Sequence, residues 1–213
     1  MEKQKTCKKE SVQTGQEKNF DQLGDRARQL FLKIDQSVIM SRLPVRADDA
    51  WFYVTYLNTP LKVSRTDGTV RNPDGTPVET MTAMIVYDML AHSSEKPVLS
   101  GRFVTLTSLG GHIAAGHLKG LKNTIPERFF QGHTLELKEA CRKLGGKEMD
   151  HGDVSYLLPL FDFFPVWMQF WDGDDEFPAS LNFQWDASSL SFLHYETLWY
   201  VMEDIQARLA ELL

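Results

Sequence analysis

The stretch VWMQFWDGDDEFPASLNFQWD, residues 166–186, decides the fold because two segments in it repeat with a period of two. In the second segment large apolar or small residues alternate with polar ones, as in a strand that buries one face. These inward positions are Ala179, Leu181, Phe183 and Trp185. The first segment also alternates, with Val166, Met168 and Phe170 on one face and Trp167, Gln169 and Trp171 on the other. The stretch therefore predicts an antiparallel hairpin.

The connection DGDDE, residues 172–176, is either a solvated turn or a site for chemistry. A calcium-binding EF-hand loop needs Gly at its sixth position and Glu at its twelfth, and those places hold Phe177 and Phe183. A generic divalent-cation site on Asp172, Asp174 and Glu176 stays open, and so does an acid/base pair among these carboxylates. A metal-dependent hydrolase using the three residues is therefore one functional hypothesis.

The rest of the chain predicts a single α+β domain. Apolar residues recur at helical spacing in four segments, which are 20–34, 80–92, 134–144 and 195–213. Residues 51–57, 61–65 and 102–107 are typical of strands, with turn dipeptides at Asp67-Gly68 and Asp74-Gly75. We expect an antiparallel sheet packed by flanking helices over residues 18–213. Residues 1–17 are too polar to offset ordering entropy by burial, so they predict a flexible tail.

Composition and charge exclude several classes of protein. No segment reaches the roughly 18 consecutive apolar residues of a membrane span, and the first residues lack the apolar core of a signal peptide, so we expect a cytoplasmic protein. The two cysteines support neither a disulfide framework nor a local iron–sulfur cluster. Residues 148–213 contain 13 acidic residues and one basic residue, Arg208, which argues against nucleic-acid binding. This acidic third predicts, as another hypothesis, a non-catalytic interaction module with an acidic docking face.

A glycine-containing turn with nearby histidines follows the predicted strand 102–107. The spacing from Gly111 to Gly116 resembles the start of a phosphate-binding loop, but His117 and Leu118 stand where Lys and Ser or Thr are needed. Nucleotide binding is therefore not expected here. His112 and His117 lack the spacing of a zinc-protease helix, yet either imidazole is a candidate ligand for a metal or a cofactor, as are His133, His151 and His194.

Aromatic residues are concentrated in the last third, where residues 161–200 contain 13 of the chain's Phe, Trp and Tyr residues. Such density indicates either a thick core or a pocket for a flat ligand. Trp167 and Trp171 favour the pocket, because both alternate away from the apolar face of their strand. That second face has to be covered either by protein or by a ligand.

Three segments together resemble the domain of unknown function 3786 family of anaerobic bacteria and archaea. They are GRFVTLTSLGG (101–111), LKEACRKLGG (137–146) and FPVWMQFWDGDDEFPASLNFQWDASSLSFL (164–193). The resemblance covers roughly residues 20–213. Its most specific part is matched by Trp171, Gly173, Asp174, Glu176, Phe177, Pro178 and Ala179, with Asp186 in the later Asp position.

The resemblance implies that the protein binds a cofactor, but it implies no particular reaction. Some members of the family are joined to a cysteine-rich iron–sulfur domain also found in corrinoid proteins, so an iron–sulfur redox protein or a corrinoid protein is an expected partner. The leading hypothesis is a binding protein for a corrinoid or other tetrapyrrole. Its walls would be Trp167, Trp171 and Phe177. Backbone amides of Gly110 and Gly111 would meet the polar edge of the ligand, and His112 or His117 would bind its metal.

Overall fold

The structure, a computed structural model, describes residues 20–110 and 125–213. The predicted tail at 1–17 and the candidate residues Gly111, His112 and His117 lie outside these ranges. The helices are α1 (20–33), α2 (Gln36–Arg42), α3 (Thr80–His92), α4 (described over 106–110), α5 (Thr134–Lys143) and α6 (Tyr195–Glu211). A π-helical turn spans Pro126–Phe130 and a 3-10 turn spans Ser189–Ser191.

The strands form one antiparallel sheet. They are β1 (Arg46–Ala47), β2 (Trp51–Tyr56), β3 (Thr59–Ser64), β4 (Val70–Arg71), β5 (Phe103–Thr105), β6 (Lys147–Glu148), β7 (Val154–Phe161), β8 (Phe164–Trp171) and β9 (Ser180–Asp186). The order across the sheet is β4-β3-β2-β7-β8-β9-β5, with β1 added to β2 and β6 added to β7. The predicted α+β class is therefore confirmed. The division into a tail and a single domain stays a prediction.

Strands β8 and β9 form the predicted antiparallel hairpin. Their register pairs Trp167 with Gln184 and Met168 with Phe183, so the two alternating patterns share the same faces. The connection runs over residues 172–179, which is longer than the five residues that sequence analysis assigned to it. Strand β5 pairs with β9 at the edge and places Thr105 opposite Gln184.

Strand β7 is the element that sequence analysis missed, although it lies in the middle of the sheet. It pairs with β8 along most of its length and with β2 at Tyr56 and Phe161. Its sequence, VSYLLPLF, is buried at nearly every position. A strand of this kind lacks the alternation that identified its neighbours.

The helices pack on one face of the sheet, which we call the core face. Phe170 of β8 meets Phe130 of the π-helical turn with ring centroids 6.1 Å apart. Tyr56 of β2 donates a hydrogen bond from its hydroxyl to the Asp204 carboxylate of α6 at 2.6 Å. Trp185 of β9 is fully buried on this face. Along the described parts of the chain, no helix is both long enough and apolar enough to cross a membrane.

Asp186 closes the far end of β9 with a buried carboxylate. It accepts hydrogen bonds from the backbone amides of Ser100, Gly101 and Ser188 and from the hydroxyls of Ser100 and Ser188. Burial by itself raises the pKa of this carboxyl, but the bonds from Ser188 and Ser100 outweigh it and lower the pKa to about 2. The ionised side chain therefore joins β9 to the segment that leads into β5.

Candidate functional site

The face of the sheet opposite the core face carries a row of aromatic rings, which we call the aromatic strip. It consists of Phe103, Trp167, His151 and Trp171. Phe103 and Trp167 meet edge to face with centroids 5.8 Å apart, and His151 meets Trp167 at 5.9 Å and Trp171 at 5.4 Å. Both tryptophans are half-buried, while His151 is exposed. The strip therefore presents indole surface and an accessible imidazole together.

Hydrogen bonds and a tight turn hold the strip in place. The indole N–H of Trp167 donates to the Ser155 hydroxyl at 2.9 Å, which fixes the orientation of the ring. Gly152, next to His151, has φ +72, and a Cβ there would lie 2.8 Å from the Phe170 carbonyl oxygen. Only glycine combines this φ with this close approach, so the turn sets His151 against the tryptophans.

Sequence analysis placed two of its candidate residues correctly relative to each other, since Trp167 and Trp171 lie on one face. Phe177 lies in the β8–β9 connection and is 67% exposed. Gly110 packs against Tyr195, at the start of α6, and not against the two tryptophans. A Cβ at position 110 would lie 2.4 Å from the Tyr195 ring. Its absence of a side chain permits this packing. Its predicted contact with a ligand stays a prediction, as do those of Gly111, His112 and His117.

Two of the acidic residues in the β8–β9 connection act as acceptors for backbone amides. The Asp172 carboxylate accepts from Gly132 at 2.9 and 3.2 Å, across 40 residues of sequence. Asp174 accepts from the amides of Phe177 and Glu176, and these bonds lower the pKa of its carboxyl. Within residues 20–110 and 125–213, no group of three or more His, Cys, Asp and Glu side chains is placed to hold a metal ion. The geometry of the turn thus favours a structural role for Asp172 and Asp174.

A groove of about 1080 Å³ lies elsewhere, between the start of α1, the start of α3 and the end of α6. Its lining includes five acidic residues, among them Asp204, and one basic residue, Arg208. Arg208 bonds Asp204 at 2.8 Å and the Thr82 hydroxyl at 2.8 Å, while Asp204 also accepts from Tyr56. Burial raises the pKa of Tyr56, as does the adjacent Asp204 charge. Arg208, Asp204, Thr82 and Tyr56 therefore bond one another within the fold.

Sequence analysis missed two arrangements in which at least one residue is distant in sequence from the others. His151 appeared only as one of several histidines, and nothing in its local sequence shows that it lies between two tryptophans. The Asp204 and Arg208 pair had a readable signal, because a helical spacing of four brings an acid and a base together. Tyr56, which donates a hydrogen bond to Asp204, lies 148 residues away from it, and no sequence pattern indicates this contact.

Comparison with known proteins identifies a family and no activity. Residues 35–208 match the family described as Domain of unknown function (DUF3786). No curated protein and no solved structure matches the chain. The match includes β7, the β8–β9 hairpin and most of α6.

Proposed function

This chain belongs to the DUF3786 family, whose description gives no function, and we propose from its geometry that it binds a flat, partly apolar small molecule on the aromatic strip. The supporting observation is His151, exposed between two half-buried tryptophans. Exposed indole surface is stabilised when a planar ligand covers it, and a nearby imidazole supplies a polar contact.

The strip has the dimensions for a ligand of several fused rings. Trp167 and Trp171 are four residues apart on one strand, so their Cα atoms are separated by roughly 13 Å. Phe103 extends the row from the neighbouring edge strand β5. Polar side chains of β9 that point to this face, Asn182 and Gln184, border the row and can contact polar substituents.

A corrinoid or another tetrapyrrole is the ligand class that we propose to test first. Such a ligand combines a planar, largely apolar ring system with a metal that takes an axial nitrogen ligand. The donor set on this face fits that chemistry, since the exposed His151 imidazole is accessible and is flanked by indoles. His151, one of the histidines that the sequence offered as candidate ligands, is therefore the axial ligand that we propose, and His112 and His117 stay predictions.

The test is a titration of the full-length chain with aquacobalamin and, separately, with haemin. Binding is followed by the quenching of tryptophan fluorescence and by the shift of the visible absorption bands. We expect Trp167→Leu and Trp171→Leu each to weaken binding about tenfold, the effect of losing one stacked ring. His151→Gln should remove the band shift while leaving most of the fluorescence quenching.

Trp51→Leu is the matched control, because Trp51 is also half-buried but lies on β2 beside Lys62, outside the aromatic strip. It should bind both probes like the wild type. Absence of binding by the wild type would exclude tetrapyrroles as the ligand class. Equal weakening by the strip variants and the control would show that the strip is not the binding surface.

A further inference from the structure

A second group of side chains lies where the end of α3 meets the start of α6, apart from the aromatic strip. Asp88 and His92 belong to α3 and lie one helical turn apart, and His194 immediately precedes α6. The Asp88 carboxylate contacts His194 twice. One oxygen accepts from the His194 backbone amide at 2.8 Å, and the other lies 2.6 Å from ring atom Nδ1.

This contact sets the chemical state of the His194 ring. A carboxylate accepts hydrogen bonds, so Nδ1 carries the hydrogen and Nε2 of the neutral ring keeps its lone pair. The same carboxylate–imidazole pairing orients histidines that bind metals, where the second nitrogen is the ligand. The His194 side chain is 56% exposed whereas that of Asp88 is 15% exposed, so the imidazole is accessible and its carboxylate partner is shielded.

His92 supplies a second imidazole next to the first. The two ring centroids are 3.5 Å apart, with an angle of 32° between the ring planes. With zinc–nitrogen distances of about 2.1 Å and a tetrahedral angle, the two ligating nitrogens lie about 3.4 Å apart and the ring centroids about 5 Å apart. His92 is the last residue of α3, and an outward movement of its ring by roughly 2 Å, with a turn that directs one nitrogen to the ion bound by His194, meets that requirement.

From this geometry we propose that His194 and His92 bind one divalent transition-metal ion, with Asp88 as the residue that positions His194. Imidazole nitrogen favours Zn²⁺, Co²⁺ and Ni²⁺ over Mg²⁺ and Ca²⁺, which prefer oxygen. Water completes the coordination, since the described residues bring no third His, Cys, Asp or Glu ligand to the pair. The site is therefore open to an additional ligand. It is independent of the aromatic strip, because no residue belongs to both.

The experiment is a calorimetric titration of the tag-free, metal-free full chain with Zn²⁺, repeated with Co²⁺ to record the absorption of the bound ion. We expect one ion per chain and a loss of at least tenfold in affinity for His92→Gln and for His194→Gln. Asp88→Asn should weaken binding by about 10–100-fold, as for other residues that orient a metal-binding histidine. Mg²⁺ at the same concentrations should give no heat of binding.

Variants at His133 and His151 are the controls, since both histidines are exposed and belong to other parts of the fold. His133→Gln should bind Zn²⁺ like the wild type, and His151→Gln should keep the ion bound by His92 and His194. His92→Gln leaves the Asp88–His194 contact in place, so it tests the site without removing the link between α3 and α6. Unchanged affinity in the His92→Gln/His194→Gln double variant would overturn the proposal, as would a wild type that binds no Zn²⁺.

Discussion

Replacement of Asp186 by Asn tests how much one buried carboxylate contributes to the stability of the sheet edge. One carboxylate oxygen accepts from the amides and hydroxyls of Ser100 and Ser188, and the other accepts from the Gly101 amide at 2.7 Å. The Asn carbonyl can replace the first oxygen. Its NH₂ group, however, would face the Gly101 N–H, which leaves a buried donor without an acceptor.

The pKa of Asp186 gives the magnitude. Its carboxyl has a pKa of 3.8 in the unfolded chain and of about 2 in the fold, which corresponds to about 2 kcal/mol of stability at neutral pH. Because the folded pKa is the lower one, this contribution is complete above about pH 5 and is lost progressively as the pH falls through about 4 and about 2. At pH 3 about half of it remains.

The assay is guanidinium unfolding of wild type and Asp186→Asn at pH 7, 5, 4 and 3. We expect the variant to be less stable by about 2–3 kcal/mol at pH 7, with a smaller difference at pH 3. Asp175→Asn, an exposed substitution in the β8–β9 connection, serves as the control and should change the free energy of unfolding by less than about 0.5 kcal/mol. A difference between wild type and Asp186→Asn that does not depend on pH would refute the electrostatic reasoning.

Three further outcomes are expected. Tyr56→Phe should lower the free energy of unfolding, measured by chemical denaturation, by about 1.5–3 kcal/mol. The reason is that the buried Asp204 carboxylate loses the Tyr56 hydroxyl, which donates to it at 2.6 Å. An unchanged free energy of unfolding would contradict this. Gly152→Ala should destabilise the fold by about 1–3 kcal/mol more than Gly75→Ala, as measured by thermal unfolding. Both positions have positive φ, but only at Gly152 does a main-chain oxygen lie 2.8 Å from the added Cβ. Equal losses of stability in the two variants would contradict this reasoning. Burial raises the pKa of the Cys141 thiol to about 12. Iodoacetamide at about pH 8 should therefore modify Cys141 only after the protein unfolds. Modification of Cys141 in the folded protein, detected by mass spectrometry, would contradict this.

Elements with one buried and one open face were predictable from sequence. The helix predicted at 80–92 is α3 with the same bounds, and the alternation in 166–186 identifies the two strands β8 and β9 and the residues that share each face. Strand β7 shows why this approach fails in the middle of a sheet. Its neighbours and the helices cover most of its surface, so its sequence is largely apolar on both faces and has no period of two to read.

The acidic connection shows a different kind of failure. Its composition is compatible with a metal site, an acid/base pair or a turn, and the sequence left all three open. In the structure the Gly132 amide bonds the Asp172 carboxylate, which gives this residue a structural role, while the metal site and the acid/base pair stay predictions. A Cβ at Gly173 would lie 2.7 Å from the Gln131 side chain, so the connection packs closely on residues that no local pattern associates with it. Long-range packing of this kind has no signal in a single sequence.

The acidic connection, the most recognisable pattern in the sequence, supports the turn that carries His151. Asp174 closes a turn within the connection, while Asp172 joins it to Gly132 and donates its own amide to the Asp153 carboxylate at 2.8 Å. Asp153 lies two residues after His151, and its amide bonds β8 at the Phe170 carbonyl. The acidic connection and the His151 turn are thus held together beside Trp171. For the ligand proposed above, replacement of Asp172 is expected to act on binding through the position of His151.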